Sequence, residues 1–205
     1  MKNLLQPSSR IFGPIWNHYT ATAVFTLLLL LGCAAPLRQF YHDEYFPEDH
    51  VYENKPIGFL LTFRGEWSIY TDPNAMNKLY RKFAATMQQS GGELLFMGNS
   101  VEGLYGVKAI AINLNEPPHE YAKYIRELNG PDVENNTEPV DFIGNEHAMV
   151  KWMYDKSGYR FVEFFFVIDT YDIRLSFWTK PALFDGFLPV FEDIAASLTP
   201  VAGID

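Results

Sequence analysis

The sequence predicts a single α+β domain in which helices cover an antiparallel β-sheet. Three segments have apolar residues at helical spacing, and strand-like segments lie between and after them. The last three strands follow one another with connections of only a few residues, which is typical of antiparallel neighbours. The order of two strands, helix, two strands, helix, three strands and helix therefore favours an antiparallel sheet with helices packed on it.

The first part of the domain contains two short predicted strands and a helix. The strands cover residues 58–63 and 66–70 and are separated by a turn at Arg64-Gly65. Asp72-Pro73 provides a helix N-cap followed by proline at the first helical position, and Gly91-Gly92 ends the helix. Its predicted core face consists of Met76, Leu79, Tyr80, Phe83 and Met87.

The middle part contains two more strands and a second helix. Residues 93–97 and 104–114 predict the strands, the second of them rich in β-branched and aliphatic side chains. Asn115 is expected to cap the helix, which is entered through Pro117-Pro118 and ends at Gly130-Pro131. Its predicted core face consists of Tyr121, Ile125 and Leu128.

Three consecutive strands and a helix complete the domain. The strands cover residues 147–154, 159–169 and 171–179. In the middle strand both sets of alternating positions are largely apolar, so we expect it to be interior and covered on both faces. The helix covers residues 181–198, and Pro189 is expected to kink it or to begin its main part.

Composition excludes some classes of partner. The chain has 205 residues, of which 48% are hydrophobic, as in a globular protein. Lys2 and Arg10 are the charged residues of the first 32, so the remainder carries 14 basic and 25 acidic side chains, a formal charge near −11. Such a surface repels phosphate backbones, so we expect no nucleic-acid partner.

An uncharged apolar run predicts export from the cytoplasm. Residues 21–31 read ATAVFTLLLLL, which is about half the roughly 20 residues that a membrane-spanning helix needs. The length matches the hydrophobic region of a signal peptide, with Lys2 and Arg10 as its positive end.

The residues that end this run resemble the bacterial lipobox. Leu30-Leu31-Gly32-Cys33 has a small residue before the expected cut and a cysteine after it. The resemblance implies cleavage before Cys33, the chain's only cysteine, and fatty acylation of its thiol and of its new amino group. Ala34, rather than aspartate, follows this cysteine and resembles lipoproteins sorted to the outer membrane of Gram-negative bacteria.

The lipobox resemblance leads to an expected division of the chain and an expected location. Residues 1–32 form the signal peptide, 33–56 the lipidated cysteine and an acidic tether, 57–199 the domain, and 200–205 a C-terminal tail. The protein is then attached through its lipid to a membrane of the cell envelope, facing the periplasm or the exterior. An uncleaved anchor over residues 19–37 is the alternative, although Pro36 disfavours helix there.

The strand patterns at the two ends of the domain resemble the PsbP-like superfamily, which includes DcrB-like envelope lipoproteins. Gly58-Phe59, Gly65 and Trp67 form the first half of this pattern. The second half consists of Tyr159-Arg160-Phe161, residues 171–177, residues 191–194 and Ser197-Leu198. The resemblance implies an αβα sandwich over about residues 57–198 and a role in binding or assembly. It implies no catalytic residues.

Two groups of histidines beside carboxylates are candidate metal ligands. His42-Asp43-Glu44 and Glu48-Asp49-His50 lie in the predicted tether, where a solvated acidic linker is the favoured interpretation because no rigid spacing holds them. His119 and His147 are expected at the surface. We therefore expect neither a metal site nor a cofactor.

Catalytic and ligand-binding residues are sparse. A hydrolase needs a nucleophile beside a base, and the serines occur in no recognisable motif; they are Ser90, Ser100, Ser157, Ser176 and Ser197. Two interpretations are open for Trp67, Trp152 and Trp178 together with Phe164 to Phe166: a ligand pocket or ordinary core packing, which is favoured. Trp152 and Trp178 are the weak ligand-binding candidates. Glu163 and Lys151 are charges inside apolar strands, where they are expected to pair with neighbouring strands or to mark a partner surface.

Taken alone, the sequence favours a non-enzymatic envelope lipoprotein that binds a protein partner. The alternative is a small-ligand or lipid-binding lipoprotein that uses an aromatic face of the sheet, and a hydrolase is the least supported of the three.

Overall fold

The computed structural model of the protein describes residues 43–145 and 147–201. These residues form two antiparallel β-sheets, three α-helices and a short 3₁₀ helix at Gly130–Asp132. The strands are β1 Asp43–Phe46, β2 Val51–Asn54, β3 Phe59–Thr62, β4 Trp67–Tyr70, β5 Glu93–Ser100, β6 Tyr105–Ile112, β7 Val140–Gly144, β8 His147–Lys156, β9 Tyr159–Ile168, β10 Tyr171–Thr179 and β11 Thr199–Pro200. The helices are α1 Lys78–Gln89, α2 Pro118–Asn129 and α3 Pro181–Ala196.

The two sheets and the helices form layers. The small sheet has the order β1-β2-β3-β11, and the large sheet has the order β4-β5-β6-β10-β9-β8-β7. One face of the large sheet, the core face, packs against α3 and the small sheet. The opposite face, the helical face, is covered by α1 over β5 and by α2 over β8 and β9. The predicted α+β sandwich is therefore confirmed.

The main core lies between the core face, α3 and the small sheet. Phe191 of α3 stacks on Phe177 of β10, with ring centroids 4.9 Å apart. Phe59 of the small sheet meets Phe166 of β9 edge to face at 6.1 Å. Such large aromatic side chains contribute most of the apolar area that drives packing.

The predicted meander is confirmed, as is its interior strand. Strand β9 pairs antiparallel with both β8 and β10. Every residue of β9 from 162 to 166 is buried, since alternate side chains enter the cores on the two sides of the sheet. Ser157 and Gly158 at the β8–β9 turn both have positive φ, which suits the twist of a tight hairpin.

The predicted tether is in part folded, so the boundary at residue 57 is too late. Residues 43–54 form the β1–β2 hairpin, and β2 pairs with β3. Tyr52 is fully buried, and its ring lies 4.4 Å from that of Phe96. The expected tail from residue 200 also begins inside the fold, since Pro200 pairs with Phe59 and Val201 donates a backbone hydrogen bond to Gly58.

The sheet assignments differ from the sequence analysis at two further points. Strands β3 and β4 were placed on either side of a turn, and they belong to different sheets, because the chain crosses between layers at Arg64-Gly65. Strand β7 was not predicted, because Val140–Gly144 (VDFIG) is short and exposed over most of its length. It forms one edge of the large sheet beside β8.

Helices α1 and α2 begin later than predicted and their buried faces are narrower, whereas α3 begins at Pro181 as predicted. Asp72 caps a separate turn by accepting from the Asn74 backbone N–H, while the side chain of Asn77 caps α1. Leu79 and Leu128 were assigned to core faces, but 70% and 65% of their surfaces are exposed. Asn115 makes no side-chain cap, since the N-cap residue of α2 is Pro117.

Helix α3 continues through Pro189, so its main part does not start there.

Several predicted features lie outside the described residues. These are the signal peptide, the lipobox Leu30-Leu31-Gly32-Cys33, and His42. Within the described ranges, no helix is both long enough and apolar enough to span a bilayer.

Candidate functional site on the helical face

Three rows of side chains cross the centre of the helical face, because antiparallel pairing places partner residues side by side on β6, β10, β9 and β8. The first row is Gly106, Trp178, Phe161 and Tyr154. The second is Lys108, Ser176, Glu163 and Trp152, and the third is Ile110, Arg174, Phe165 and Val150. Charged and aromatic residues thus meet in the interior of one sheet face.

Glu163 is at the centre of this arrangement and is only 1% exposed. Its Oε1 accepts hydrogen bonds from the Tyr154 hydroxyl at 3.0 Å and the Ser176 hydroxyl at 3.1 Å. Its Oε2 lies 3.9 Å from Nε of Arg174, and neither of these two atoms has a hydrogen-bond partner among the described residues. The prediction that Glu163 pairs with neighbouring strands is confirmed.

Arg174 provides the positive charge nearest to this carboxylate. Burial opposes its charge, but the Glu163 carboxylate, followed by Tyr121 and Tyr154, favours it and holds the pKa of the guanidinium above its ordinary value. Glu163 and Arg174 therefore form a loose, largely buried ion pair, in which each ion depends on the other.

Lys108 is a second cation on the same face, one row away from Arg174. Its Nζ lies 5.2, 5.6 and 6.0 Å from the ring centroids of Phe83, Trp178 and Phe161. Within the described residues it makes no hydrogen bond or ion pair. Burial, followed by repulsion from Arg174, lowers the pKa of the ammonium to about 8, against a partial opposing effect of Glu163.

The aromatic side chains form a continuous row beside these charges. Trp152 stacks on Tyr154 at 4.2 Å, Tyr154 on Phe161 at 5.1 Å, and Phe161 lies 6.1 Å from Trp178. A Cβ at Gly106 would come within 2.3 Å of the Trp178 ring, so the absence of a side chain there lets the indole lie on the backbone.

The structure brings the two weak ligand-binding candidates to one face but places them differently. Trp152 is fully buried, and its Nε1 donates to Oδ1 of Asn136 at 2.9 Å, so it belongs to the core beneath α2. Trp178 is partly exposed beside α1. Trp67, which was weighed together with them, is buried on the opposite, core face.

A cleft of about 380 Å³ opens above the third row; we call it the acidic-aromatic cleft. It is lined by Leu114, Glu116, Glu120, Tyr121 and Tyr124. Tyr121 connects the cleft to the charges below: burial raises the pKa of its hydroxyl to about 12, while nearby Arg174 partly opposes that rise.

Asp172 fixes one wall of this cleft. Its buried carboxylate accepts backbone N–H groups of Leu114 and Asn115 at 2.8 Å and of Glu116 at 3.3 Å. Asn115 has φ +58°, a conformation that asparagine tolerates better than most residues. The carboxylate thus holds the loop between β6 and α2 in place.

A larger open cleft, of about 600 Å³, lies on the other side of α2. It is lined by His119, Glu120, Lys123, Arg126, Glu127, Asn136, Glu138 and Pro139. Arg126 forms a bidentate ion pair with Glu138 across this cleft, so these two charges of its lining neutralise each other.

The described histidines are not grouped with other ligands. His50 lies in the β1–β2 turn, and His119 is exposed, as expected, and hydrogen-bonds to Asp141 at 2.8 Å. His147 was expected at the surface, but it is half-buried with Nε2 3.2 Å from the Val167 carbonyl oxygen. Nowhere in residues 43–145 or 147–201 do three His, Cys, Asp or Glu side chains gather as metal ligands do.

The serines are equally dispersed. Ser176 bonds to Glu163, and Ser197 bonds to the carbonyl oxygens of Thr62 and Ile194. No hydrogen bond in the described part of the chain joins a serine hydroxyl to a histidine.

Lys151, the other strand charge noted in the sequence, forms its ion pair with a helix, and its Nζ also lies 5.8 Å from the ring centroid of Phe142 on neighbouring β7. Its Nζ lies 2.8 Å from Oε1 of Glu192 on α3, on the core side of the sheet.

Sequence reasoning missed Lys108 and Arg174. Both interrupt apolar strands, as Glu163 does, in the segments VKAIAI and IRL. The same signal, a charge at one alternating position of a buried strand, could have found them.

Comparison with known proteins supports the fold. No family model and no curated protein matches the sequence. Among solved structures, the solution structure of cyanobacterial PsbP (CyanoP) from Synechocystis sp. PCC 6803 matches with a TM-score of 0.50 and 10% identity, covering 73% of this chain and 91% of that one. A crystal structure from Bacteroides thetaiotaomicron VPI-5482 matches with a TM-score of 0.45 and 13% identity, covering 74% of this chain and 48% of that one.

At such low identity the likeness concerns architecture only. The chain therefore contains a domain with the PsbP-like fold.

Proposed function

We propose that this protein is a non-enzymatic lipoprotein of the bacterial cell envelope. Acyl chains on Cys33 would hold it on a membrane, and its PsbP-like domain would bind a protein partner and help to assemble or position a membrane-associated complex. The apolar run over residues 21–31, too short to span a bilayer and ending at Leu30-Leu31-Gly32-Cys33, supports the anchor.

The acidic-aromatic cleft is the observation that supports the binding role. Tyr124 and Leu114 are 47% and 37% exposed at its edge, beside the exposed carboxylates of Glu116 and Glu120. Aromatic side chains are enriched at protein-binding surfaces, and the rims of such surfaces are polar. Glu116 has no ion pair among the described residues, whereas Glu120 lies 3.8 Å from Lys123. In a chain of formal charge −9, the complementary partner is a basic and partly apolar segment of another envelope protein.

The anchor is tested by Cys33→Ser. The wild type should incorporate a fatty-acid analogue and migrate as a processed form. The variant should incorporate none and accumulate as an unprocessed precursor. Equal labelling of the two proteins would contradict acylation at Cys33.

The binding surface is tested by a matched pair of charge reversals. Glu116 lines the acidic-aromatic cleft, whereas Glu127 lies on the other side of α2 with a similarly exposed carboxylate. After mild crosslinking in the native envelope, Glu116→Lys should lose a stoichiometric partner that wild type and Glu127→Lys retain. Recovery of the same partner by all three proteins would contradict this surface.

The aromatic row favours small-ligand or lipid binding as a second candidate function. Trp178 and Phe161 are partly exposed at one end of the row, next to a cation without a counter-charge. Binding there would place a ligand beside apolar surface and beside a group that can fix its orientation.

A further inference from the structure

We propose that the helical face binds a small organic anion, a carboxylate or phosphate attached to a flat apolar group, through the Lys108 ammonium beside the Phe161 and Trp178 rings. This inference rests on the second candidate function, ligand binding. It adds the chemical class of the ligand and the residue that selects it.

The first argument is an imbalance of charge. Arg174, Lys108 and Lys156 lie on this face with two buried carboxylates, Glu163 and Asp172, and Asp172 is engaged by the backbone N–H groups of residues 114 to 116. Glu163 is already engaged by Arg174, Tyr154 and Ser176, and Lys156 donates to Oδ1 of Asn129 at 2.7 Å.

Of these three cations, Lys108 is the one with neither a hydrogen bond nor an ion pair to a described residue. A partly buried charge without a partner is costly, and a bound anion would remove that cost.

The second argument is the surroundings of Lys108. Phe83 on α1, Trp178 on β10 and Phe161 on β9 surround its Nζ at 5.2 to 6.0 Å, and all three rings are partly exposed. An anionic group bound to the ammonium would therefore lie beside aromatic surface. A ligand with a flat apolar group gains apolar burial there, whereas a bare inorganic anion does not.

The state of the lysine fits this role. Burial and Arg174 lower the pKa of Lys108 to about 8, so most molecules carry the ammonium at neutral pH. The charged groups that face it are Arg174 on β10, Glu163 on β9 and Lys156 on β8, while α1 contributes the uncharged Phe83. An added negative charge would raise the pKa of Lys108, so the affinity for the anion should fall as the pH rises above about 8.

The experiment uses the full chain in detergent micelles and three probes that share one ring system. These are 2-naphthoate, 2-naphthyl phosphate and the neutral 2-naphthamide. Binding is measured by calorimetry and by quenching of tryptophan fluorescence. Lys108→Met keeps an apolar chain of similar length, and Lys82→Met, at an exposed position of α1, is the matched control.

We expect wild type and Lys82→Met to bind the naphthoate or the naphthyl phosphate, and whichever binds more tightly identifies the anionic group. The amide should bind about tenfold more weakly, and Lys108→Met should weaken anion binding by about tenfold or more, as expected for loss of a charge-assisted contact. Equal binding of acid and amide, or equal binding by Lys108→Met, would overturn the anion inference and leave ligand binding standing. If none of the probes binds, the inference fails together with ligand binding at this face.

Discussion

Nε of Arg174 lies 3.9 Å from Oε2 of Glu163 inside the helical face, and neither atom is hydrogen-bonded to any described residue. The two side chains are 13% and 1% exposed, so little solvent screens them. Each ion stabilises the other mainly by compensating a burial cost, and removing one leaves the other uncompensated.

Glu163→Gln should therefore destabilise the fold by about 3 kcal/mol, because Arg174 loses its counter-charge while the shape of the side chain is kept. The double variant Glu163→Gln with Arg174→Met should lose less than the sum of the two single changes. Denaturant unfolding of the wild type, the two single variants and the double variant measures the coupling as a double-mutant cycle. Additive losses would show that the two groups do not interact.

Lys108 should make stability depend on pH in a defined window. Its pKa is about 8 in the folded protein and ordinarily 10.5. Below about pH 8 both states are protonated and the burial cost is complete. Between these two pKa values the unfolded state binds more protons than the folded state, so the stability of the fold rises with pH.

Lys108→Met removes this dependence. The variant should exceed wild type in stability by on the order of 2 kcal/mol below pH 8, and the difference should shrink between pH 8 and pH 10. Urea unfolding at a series of pH values measures it. Tyr121, whose pKa is raised to about 12, is present in both proteins and cancels in the comparison. A difference that is constant with pH would show that Lys108 is not the titrating group.

Asp172 should be needed for the order of the loop that leads to α2. Asp172→Ala leaves three backbone N–H groups, at residues 114 to 116, without their acceptor and should cost about 2 to 3 kcal/mol. Asp172→Asn keeps one acceptor oxygen and should cost less.

Hydrogen exchange provides the local measurement. Amides of residues 114 to 116 should lose protection in Asp172→Ala more than amides of β9 do. Uniform loss across the domain would mean that the carboxylate supports the fold as a whole.

The elements that the sequence predicts well are those whose pattern is set by burial along one segment. Strand β9 has apolar residues at both sets of alternating positions, and it is covered on both faces. The β1–β2 hairpin escapes prediction because its buried side chains include Tyr52 and Asn54, whose polar groups bond to each other inside the fold. Half of its remaining residues are acidic.

The candidate site could be predicted only in part, for a reason of topology. Glu163 stands out in its own strand, but its row with Lys108 exists only because β6 pairs with β10. Helix α2 and three strands separate those two strands in the sequence. Pairing between distant strands fixes which charges meet, and no local pattern encodes it.

Gly106, which lies beneath the Trp178 ring, should not be replaceable without a loss of stability. Gly106→Ala places a Cβ 2.3 Å from the Trp178 ring and should destabilise the fold by about 1 to 3 kcal/mol, as overpacking does. Gly186→Ala is the control, because its Cβ meets nothing within 4 Å and it lies in α3. That change should stabilise by about 0.5 to 1 kcal/mol. Thermal unfolding and Trp178 fluorescence distinguish the two, and a neutral Gly106→Ala would contradict the close contact.

The β1–β2 hairpin should be part of the folding unit. A chain that begins at residue 43 keeps the hairpin, whereas one that begins at residue 57 loses Tyr52, which is fully buried against Phe59 and Phe96. The shorter chain also loses the pairing of β2 with β3 and exposes one edge of β3. Burying one tyrosine ring is worth about 2 kcal/mol, and the unpaired strand edge adds a tendency to associate.

We therefore expect the chain from residue 43 to unfold cooperatively as a monomer. The chain from residue 57 should unfold at a lower denaturant concentration or aggregate. Light scattering and urea unfolding measure the two effects. Tyr52→Ala in the longer chain separates them, because it removes the buried ring and keeps the strand pairing. If the chains from residues 43 and 57 are equally stable and monomeric, the hairpin lies on the domain without supporting it.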